Sequence, residues 1–558
     1  MSEEVSFDEA APWLLIPIIV LGGFLRVLFL DGQGMWLDET FSVWMASHSI
    51  AEMLQWTVQI DQHPPLYYLL LHYWVASYGD APYYARLFSV LFSLATIPVM
   101  YLIGRRISSA EVGLAAAVFM ALSLFNIHYA RETRMYTLLA FTAAAATYAL
   151  VRLLTDPHAA MPIGSQFRQY LQRWHANAPA EPPNDDVFRY APMNPSGRRW
   201  WLFRRPPPVQ AIATDLSWAA FIVFSAATLL VHNTAIFFPL AVNLFVIGLV
   251  LYHRAKPPGP NPGFQPPAMG NWVKAQAGIF LLWSPWLLAF IQQVNRVDQR
   301  FWIPAPTWEA VVQVLKSFLY TPAPLPANQA MVIWPLYGVV FCLGLLHFRK
   351  RLSQFLFLAA LFAIPILGEL IISIRRPIFY DRTLIWATIP LYLILAAGVA
   401  QLKIRPLVFL LLGVFATLNV FSAGDYYRYF RKEDWNSAAS YVAYYAEEDD
   451  LILFNSNFVV IPFNYYFRPF ENKWQLQVEK QGVPFDLFEH AILEPEMTEK
   501  DIPRFREMLR GHPRVWLVYS HNSYTDPKGL VPQTLSSQMR VTRTREFYGG
   551  QVQLYETH

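Results

Sequence analysis

Apolar residues in this chain come in long blocks separated by short polar connections. A helix needs roughly 20 mostly apolar residues to cross a hydrocarbon core of about 30 Å. Runs of that kind lie near 12–30, 83–103, 112–128, 136–153, 215–231, 235–252, 273–291, 331–347, 354–373, 384–401 and 405–422. The pattern therefore predicts a polytopic α-helical membrane protein of about 11 transmembrane helices, with its termini on opposite sides. The connections "GRRISS" (Gly104–Ser109), "YHRAK" (Tyr252–Lys256), "FRKR" (Phe348–Arg351) and "LKIRP" (Leu402–Pro406) are short and basic, which marks them as cytoplasmic. The opposite, outer set carries Asp38, Glu39, Asp61, His63, Arg131, Glu132, the 292–330 loop and Arg375–Arg382.

The polar stretches differ in kind. "SIAEMLQWTVQ" (Ser49–Gln59) and "PLYYLLLHYWVASYG" (Pro65–Gly79) mix apolar and polar residues at helical spacing with several Trp and Tyr, the signature of helices lying in the membrane interface. Residues 155–212, with "NAPAEPPNDD" and "RRWWLFRRPPP", are too rich in Pro, Arg and polar groups to bury a core and read as a flexible cytoplasmic insertion. The Pro/Gly-rich loop Lys256–Pro267 reads the same way. From 423 the character changes again. An amphipathic helix, "EDWNSAASYVAYYAEE", precedes strand-like runs in "DLILFNS" and "RVWLVYS", so the chain divides into a membrane domain, 1–422, and a small extracytoplasmic α/β domain, 423–558.

Composition agrees with a membrane class. The chain is 55% hydrophobic and 15% charged, with mean hydropathy +0.27, too apolar for a soluble protein. A net charge of +3 without a basic stripe excludes nucleic acid as a partner. A single cysteine, Cys342, excludes an intramolecular disulfide and a cysteine zinc site. The acidic start "MSEEVSFDEAAP" lacks a basic n-region, so the first apolar run is expected to stay as a helix.

Candidate chemistry gathers in the outer loops. In "WLDETFSVW", Asp38 and Glu39 follow the first span; neighbours on a helix point about 100° apart, so one faces the chemistry and the other orients it. The alternative for Asp38 is a helix N-cap. In "DQHPPLYY", Asp61 and His63 lie two apart before a proline, where extended backbone turns both to one side; the alternative is a plain exposed turn. "HYARETRMY" offers Arg131, Glu132, Arg134 and Tyr136, and "SIRRPIFYDRTLIW" offers Arg375, Arg376 and Arg382. Guanidinium groups at such depth need a partner, either a nearby acid or the phosphate of a lipid-linked substrate. Arg86, Arg296 and Arg300 belong to the same group, and His232 and Asn233 end a span on the same side. No HExxH or paired-His spacing supports zinc, and no Walker A or strand-borne GxGxxG supports a nucleotide.

Taken in order, the "LDE" after the first span, "DQHPPLYY", "ARLFSVLFSLATIPVMYLIGRRI", "ARETRMYTLL" and "RRPIFYDRTLIW" resemble the GT-C class of integral-membrane glycosyltransferases, in the branch of protein O-mannosyltransferases and bacterial aminoarabinose transferases. The resemblance spans about residues 10–420. It implies inverting sugar transfer from a polyprenyl-phosphate donor to a hydroxyl acceptor at the outer face of a plasma membrane, bacterial in kind. Asp38 matches the probable base of the family's first-loop acidic motif, and Asp38 with Glu39 is the catalytic pair to test. Asp61, His63, Arg86, Arg131, Glu132, Arg134, Tyr136, Arg376 and Arg382 would bind substrate. One departure stands out: the aminoarabinose-transferase pattern has an acidic residue and Lys before the paired prolines, where this chain has Gln62 and His63. His63 would then meet the phosphate, or join Asp38 and Glu39 around a divalent cation, which the resemblance leaves open. Acceptor and sugar stay unassigned. The competing class is a transporter or flippase of a lipid-linked sugar or small anion, but such proteins place their charges near the bilayer midplane rather than at the outer ends of spans.

Overall fold

A computed structural model describes residues 7–156, 159, 209–255, 263–296, 305–319, 327–402, 404–490, 492 and 494–557. Almost all of the expected 155–212 insertion, the first part of the Lys256–Pro267 loop, Arg300 and the side chain of Arg296 lie outside the described residues.

Each of the eleven apolar runs coincides with helix. Among the described residues nine helical segments are long and apolar enough to cross a membrane: Ala10–Val27, Pro82–Ile107, Tyr136–Thr155, Thr214–Val231, Asn233–Ala255, Met269–Val294, Leu352–Ser373, Arg382–Ala400 and Pro406–Tyr429. A tenth crosses only as a bent pair, α6 (Ala110–Leu122) and α7 (Leu124–Ala130), which meet at 54°. Ser123 makes the break. Its hydroxyl caps the second helix by accepting from Asn126 N at 3.1 Å and lies 2.6 Å from the Tyr392 hydroxyl, so the chain restarts a helix in mid-span. The run expected at 331–347 falls in the helix Ala327–Phe348, whose apolar stretch Ile333–Phe348 is shorter than a full span. The last span runs unbroken to Tyr429, past the limit expected at 422.

The helices sort by burial. Tyr136–Leu154 and Thr388–Ala400 are enclosed on nearly every side. The outermost ones expose Leu281, Leu288, Ile371, Phe409 and Phe421, a surface that suits lipid rather than water. At the centre, Thr388–Ala400 lies so close to Ala327–Phe348 that a Cβ on Gly398 would collide with the Val340 carbonyl and one on Gly344 with the Ile394 carbonyl. Small residues permit that approach. Between the first two spans stand three short helices, α2 (Leu37–Ser47), α3 (Ile50–Gln59) and α4 (Leu66–Tyr78), where two were expected; the extra one carries the acidic motif. A Ser49–Glu52 capping box starts α3.

After Tyr429 the chain builds a five-stranded sheet in the order β2-β1-β3-β5-β4. The strands are β1 (Leu451–Phe454), β2 (Glu479–Gly482), β3 (Arg514–Tyr519), β4 (Met539–Phe547) and β5 (Gly550–Thr557). The first three are parallel, and β4 and β5 add an antiparallel hairpin. Alternation along β1 and β3 divides the core: Ile452, Phe454, Trp516 and Val518 face the helices Trp435–Tyr445 and Val460–Trp474, while Leu451, Leu453, Val515 and Leu517 face Ile502–Met508 and Leu530–Ser536. Leu37, Phe41 and Trp44 of α2 pack against the first of these cores, so this unit sits directly on the acidic motif.

Candidate active site

Helix α2 begins after Trp36, whose extended backbone caps it without a side-chain bond. Asp38 is therefore not the cap, and its carboxylate points elsewhere. Its Oδ2 accepts a hydrogen bond from Arg382 Nη1 at 2.9 Å and lies 3.8 Å from Arg134 Nε. Arg134 also donates through Nη1 to the Ser42 hydroxyl at 3.3 Å, and its buried Nε donates to no protein atom. Tyr136 is wedged between the two guanidiniums, 5.9 Å from Arg134 and 5.6 Å from Arg382, and Tyr380 covers Arg382 from 4.9 Å. Burial pushes the Asp38 carboxyl up, but Arg134 and Arg382, with His63 behind them, outweigh it and hold the group below its ordinary range. The carboxylate side chain keeps 23% of its exposure. An ionised, reachable acid thus stands between two fixed cations from distant parts of the chain.

Asp61 and His63 point together, as their spacing predicts. Asp61 Oδ1 is 2.8 Å from His63 Nδ1 and accepts from Gln62 N at 2.7 Å, while Oδ2 is buried without a partner. Burial raises the Asp61 carboxyl, and His63, with Arg134 and Tyr68 adding to it, more than reverses this for a net lowering. The His63 ring meets that of His232 at 5.0 Å, and His232 lies 6.4 Å from Tyr136, which joins this pair to the Asp38 cluster. Asn233 instead holds the loop, donating to the Gln62 carbonyl at 2.7 Å and to Gln293 at 2.8 Å.

Four expected site residues have other employment. Glu39 is fully buried. It takes a two-pronged bond from Arg86, 2.7 Å at each oxygen, a bond from Lys432 Nζ at 2.9 Å and one from Thr133 N at 3.0 Å. Its oxygens face cations and backbone, and none is exposed. Burial raises its carboxyl, but Arg86 and then Lys432 bring it down to about 2. Arg86 gives its other donors to the carbonyls of Leu30, Gln33 and Gly34, so it shapes the loop before α2. Arg131 likewise turns onto the carbonyls of Arg26, Leu28 and Phe29 and stacks on Tyr427. Both arginines answer the orphan carbonyls that follow the end of the first helix. Arg376 donates to the Val294 carbonyl at 2.6 Å, next to the Gln293 that bonds to the Asp61 carbonyl.

Glu132 is buried beside Lys432 at 3.7 Å and His128 at 3.5 Å, with one oxygen unpartnered. Burial lifts its carboxyl to about 7 against the pull of Lys432. Lys432, in "FRKEDW", went unsuspected because nothing in that charged stretch ties it to Glu39. Tyr380 escaped notice as one aromatic among many. Among the described residues no group of three or more His, Cys, Asp and Glu side chains is arranged to hold a metal ion. Asp38, Glu39 and His63, the candidates for a divalent cation, are drawn to Arg382, Arg86 and Asp61 in turn. Two small hollows lie elsewhere, one beside Asp434 and Trp435 and the other between Phe119, Tyr337, Tyr392 and Phe415.

Comparison with known proteins follows the same line. The family model "Dolichyl-phosphate-mannose-protein mannosyltransferase" matches residues 62–163, a minor part of the chain that contains His63, Arg86, Arg131, Glu132, Arg134 and Tyr136. No curated sequence matches. Among solved structures the chain is similar to ArnT from Cupriavidus metallidurans in the apo state, at 13% identity and a TM-score of 0.57 over 98% of each chain. It is similar also to the same protein bound to undecaprenyl phosphate, at 14% identity and a TM-score of 0.51, again over 98% of each chain. A third is the archaeal oligosaccharyltransferase AglB from Archaeoglobus fulgidus, in complex with an inhibitory peptide and a dolichol-phosphate, at 9% identity and a TM-score of 0.51, over 96% of this chain and 73% of that one. At these identities the likeness is one of architecture: the chain has the GT-C fold and is an integral membrane protein.

Proposed function

We propose that this protein is an inverting glycosyltransferase that moves a sugar from a polyprenyl-phosphate donor to a hydroxyl of a lipid, glycan or protein acceptor at the outer face of the membrane. One observation carries the reading: Asp38 is an ionised, partly exposed carboxylate held between Arg382 and Arg134, in a fold shared with proteins solved with polyprenyl phosphates. The basic short loops, which lie on the opposite side from Asp38, support the outer placement.

The geometry suits the reaction. As the acceptor oxygen bonds to the anomeric carbon, the bond from that carbon to the phosphate oxygen breaks, and the lipid leaves as a phosphate with added negative charge. Asp38 takes the acceptor proton. Arg382 and Arg134 receive the departing charge through forked N–H donors that are already in place, the preorganised stabilisation that lowers such barriers. At rest Asp38 occupies Arg382 as a phosphate would. A donor phosphate competes for that guanidinium, and each step it draws Arg382 away raises the basicity of Asp38 as the acceptor arrives. Tyr136 and Tyr380 keep the guanidinium planes aligned meanwhile.

The test is a transfer assay with reconstituted protein, radiolabelled polyprenyl-phosphate sugars and a membrane extract as acceptor. Asp38→Asn, which keeps shape and removes the base, is expected to cut transfer by about 10²-fold or more. Equal transfer by both proteins rejects Asp38 as the base, and movement of labelled lipid between leaflets without transfer favours a flippase instead.

A further inference from the structure

The C-terminal sheet has a feature that the reaction above leaves unused. From β1 the chain crosses to β2 through Val460–Trp474 on one face, and from β2 it crosses to β3 through Ile502–Met508 on the other. The connections therefore part between β1 and β3. In open α/β sheets a crevice outside the carboxyl ends of the strands, at such a switch point, is where ligands bind.

Here that crevice is built from polar groups, and its rim is linked through Glu433 to the residue next to Asp38. Its floor is Asn455 and Asn457, both fully buried at the end of β1. Asn455 pairs with Ser520 in both directions, donating to its carbonyl at 2.7 Å and accepting from its N–H at 2.8 Å. Asn457 accepts from Glu494 N at 3.3 Å and donates to the Ile492 carbonyl at 2.8 Å. These amides fix the two residues at the rim, His521 and Glu494, in left-handed backbone at φ 52° and 56°. That conformation is uncommon for residues with a side chain, and it is kept where surroundings over-determine it, as at binding sites. His521 Nε2 lies 3.2 Å from Glu433 Oε1, and Glu433 Oε2 accepts from the backbone N–H of Leu37, the neighbour of Asp38. The Tyr524 hydroxyl is 3.5 Å from Glu494. Burial, offset by His521 and reinforced by Asp38, brings the Glu494 carboxyl up to about 7, so near neutrality it can donate as well as accept.

We propose that this crevice is the acceptor subsite, and that it takes a neutral sugar ring whose hydroxyls bond to Glu494, Tyr524 and His521 while one hydroxyl is presented to Asp38. The assignment of a glycan acceptor rests on the transferase reading. A carboxyl able to both give and take a hydrogen bond, a phenol and an imidazole form a mixed donor and acceptor set, which matches vicinal hydroxyls; among the rim residues named, none brings a fixed cation for an anionic acceptor. Trp44, Trp56 and Phe488 meet one another at 5.6–6.0 Å across α2, α3 and the short helix Leu487–His490, and half-exposed Phe488 offers an apolar face there.

The test measures binding and turnover separately on the full chain in nanodiscs. A panel of neutral gluco-, manno- and galacto-oligosaccharides is titrated by saturation-transfer NMR, and undecaprenyl phosphate is titrated in parallel. The expected result is that at least one oligosaccharide binds, that Glu494→Gln and Tyr524→Phe each weaken it about tenfold, and that affinity for undecaprenyl phosphate stays within twofold. In turnover the same variants should raise the acceptor KM with little change in kcat. Absence of oligosaccharide binding, binding that neither variant weakens, or displacement only by a basic peptide overturns the subsite. Failure of the transferase reading is seen elsewhere, as unaltered transfer by Asp38→Asn, and leaves a sugar-binding result standing.

Discussion

Two buried carboxylates that share Lys432 respond to acid in opposite directions. Glu39 is held at about 2 in the folded chain against an ordinary value near 4.5, so its contribution is complete above about pH 4.5 and drains away as pH falls toward 2. Glu132 is raised to about 7, so the folded state binds its proton more tightly than the unfolded one, and stability declines as pH climbs from about 4.5 through 7. The groups facing them are Arg86, Lys432, His128 and, farther off, Asp38 and Arg382. Glu132→Gln should therefore lessen the decline on the neutral side, seen as a melting temperature in detergent that drops less between about pH 5 and about pH 8 than in the parent, the remainder coming from groups such as Glu494. Glu39→Gln at pH 7 should cost about 3–5 kcal/mol, because Arg86 and Lys432 are left as buried charges without their counter-ion. A melting curve for Glu39→Gln that overlays the wild type would show that Arg86 and Lys432 do not depend on Glu39 for stability. The sequence made Glu39 and Arg86 look like chemistry for a sound reason: charges at membrane depth are usually functional. What it did not display was the backbone around them. The demand of free carbonyls from residue 26 to residue 34 has no signature in side-chain type, and it drew Arg86 and Arg131 onto that segment.

Helices transmit packing to the site. Arg382 opens the short helix Arg382–Ala387, which continues directly into Thr388–Ala400, so any shift of that span moves the guanidinium. Gly398 meets the Val340 carbonyl with no room for a methyl group. Gly398→Ala should force the two helices apart at a cost of about 1–3 kcal/mol and weaken donor binding together with stability, measured by thermal unfolding and by undecaprenyl-phosphate titration on the same sample. Lower stability with unchanged donor affinity would show that Arg382 is steadied by something other than this span. At this scale the sequence was most informative. Apolar blocks of span length specify helices almost by themselves, because no other element satisfies its backbone inside lipid. The bend at Ser123 was less visible, since a serine within an apolar run reads as a tolerated polar residue until its hydroxyl is seen to cap a new helix. The acidic motif also has a helix of its own, begun one residue before Asp38 and not by Asp38 as its cap.

The whole molecule is held to its purpose by the seam between the membrane helices and the sheet unit. Lys432 binds Glu39 across 393 residues of sequence, Gln33 donates to the Phe430 carbonyl at 2.7 Å, and Tyr465 donates to the Asp80 carbonyl at 2.8 Å. Lys432→Met keeps the stem and removes the charge. It should lower transfer by about tenfold or more through kcat, with donor affinity little changed, since Lys432 touches Glu39 and neither Asp38 nor Arg382. A loss confined to donor affinity would place Lys432 on the phosphate instead. Such long-range pairs are beyond a single sequence, where Lys432 is one charge in a soluble-looking stretch and Glu39 one acid in a loop.

The bond from Leu37 N–H to Glu433 also bears on the order in which the protein is made. Synthesis delivers the aspartate to the bilayer hundreds of residues before its brace exists. A nascent chain therefore carries Asp38 on a helix that lacks both the Glu433 and the Lys432 contact until residues 432 and 433 have been made.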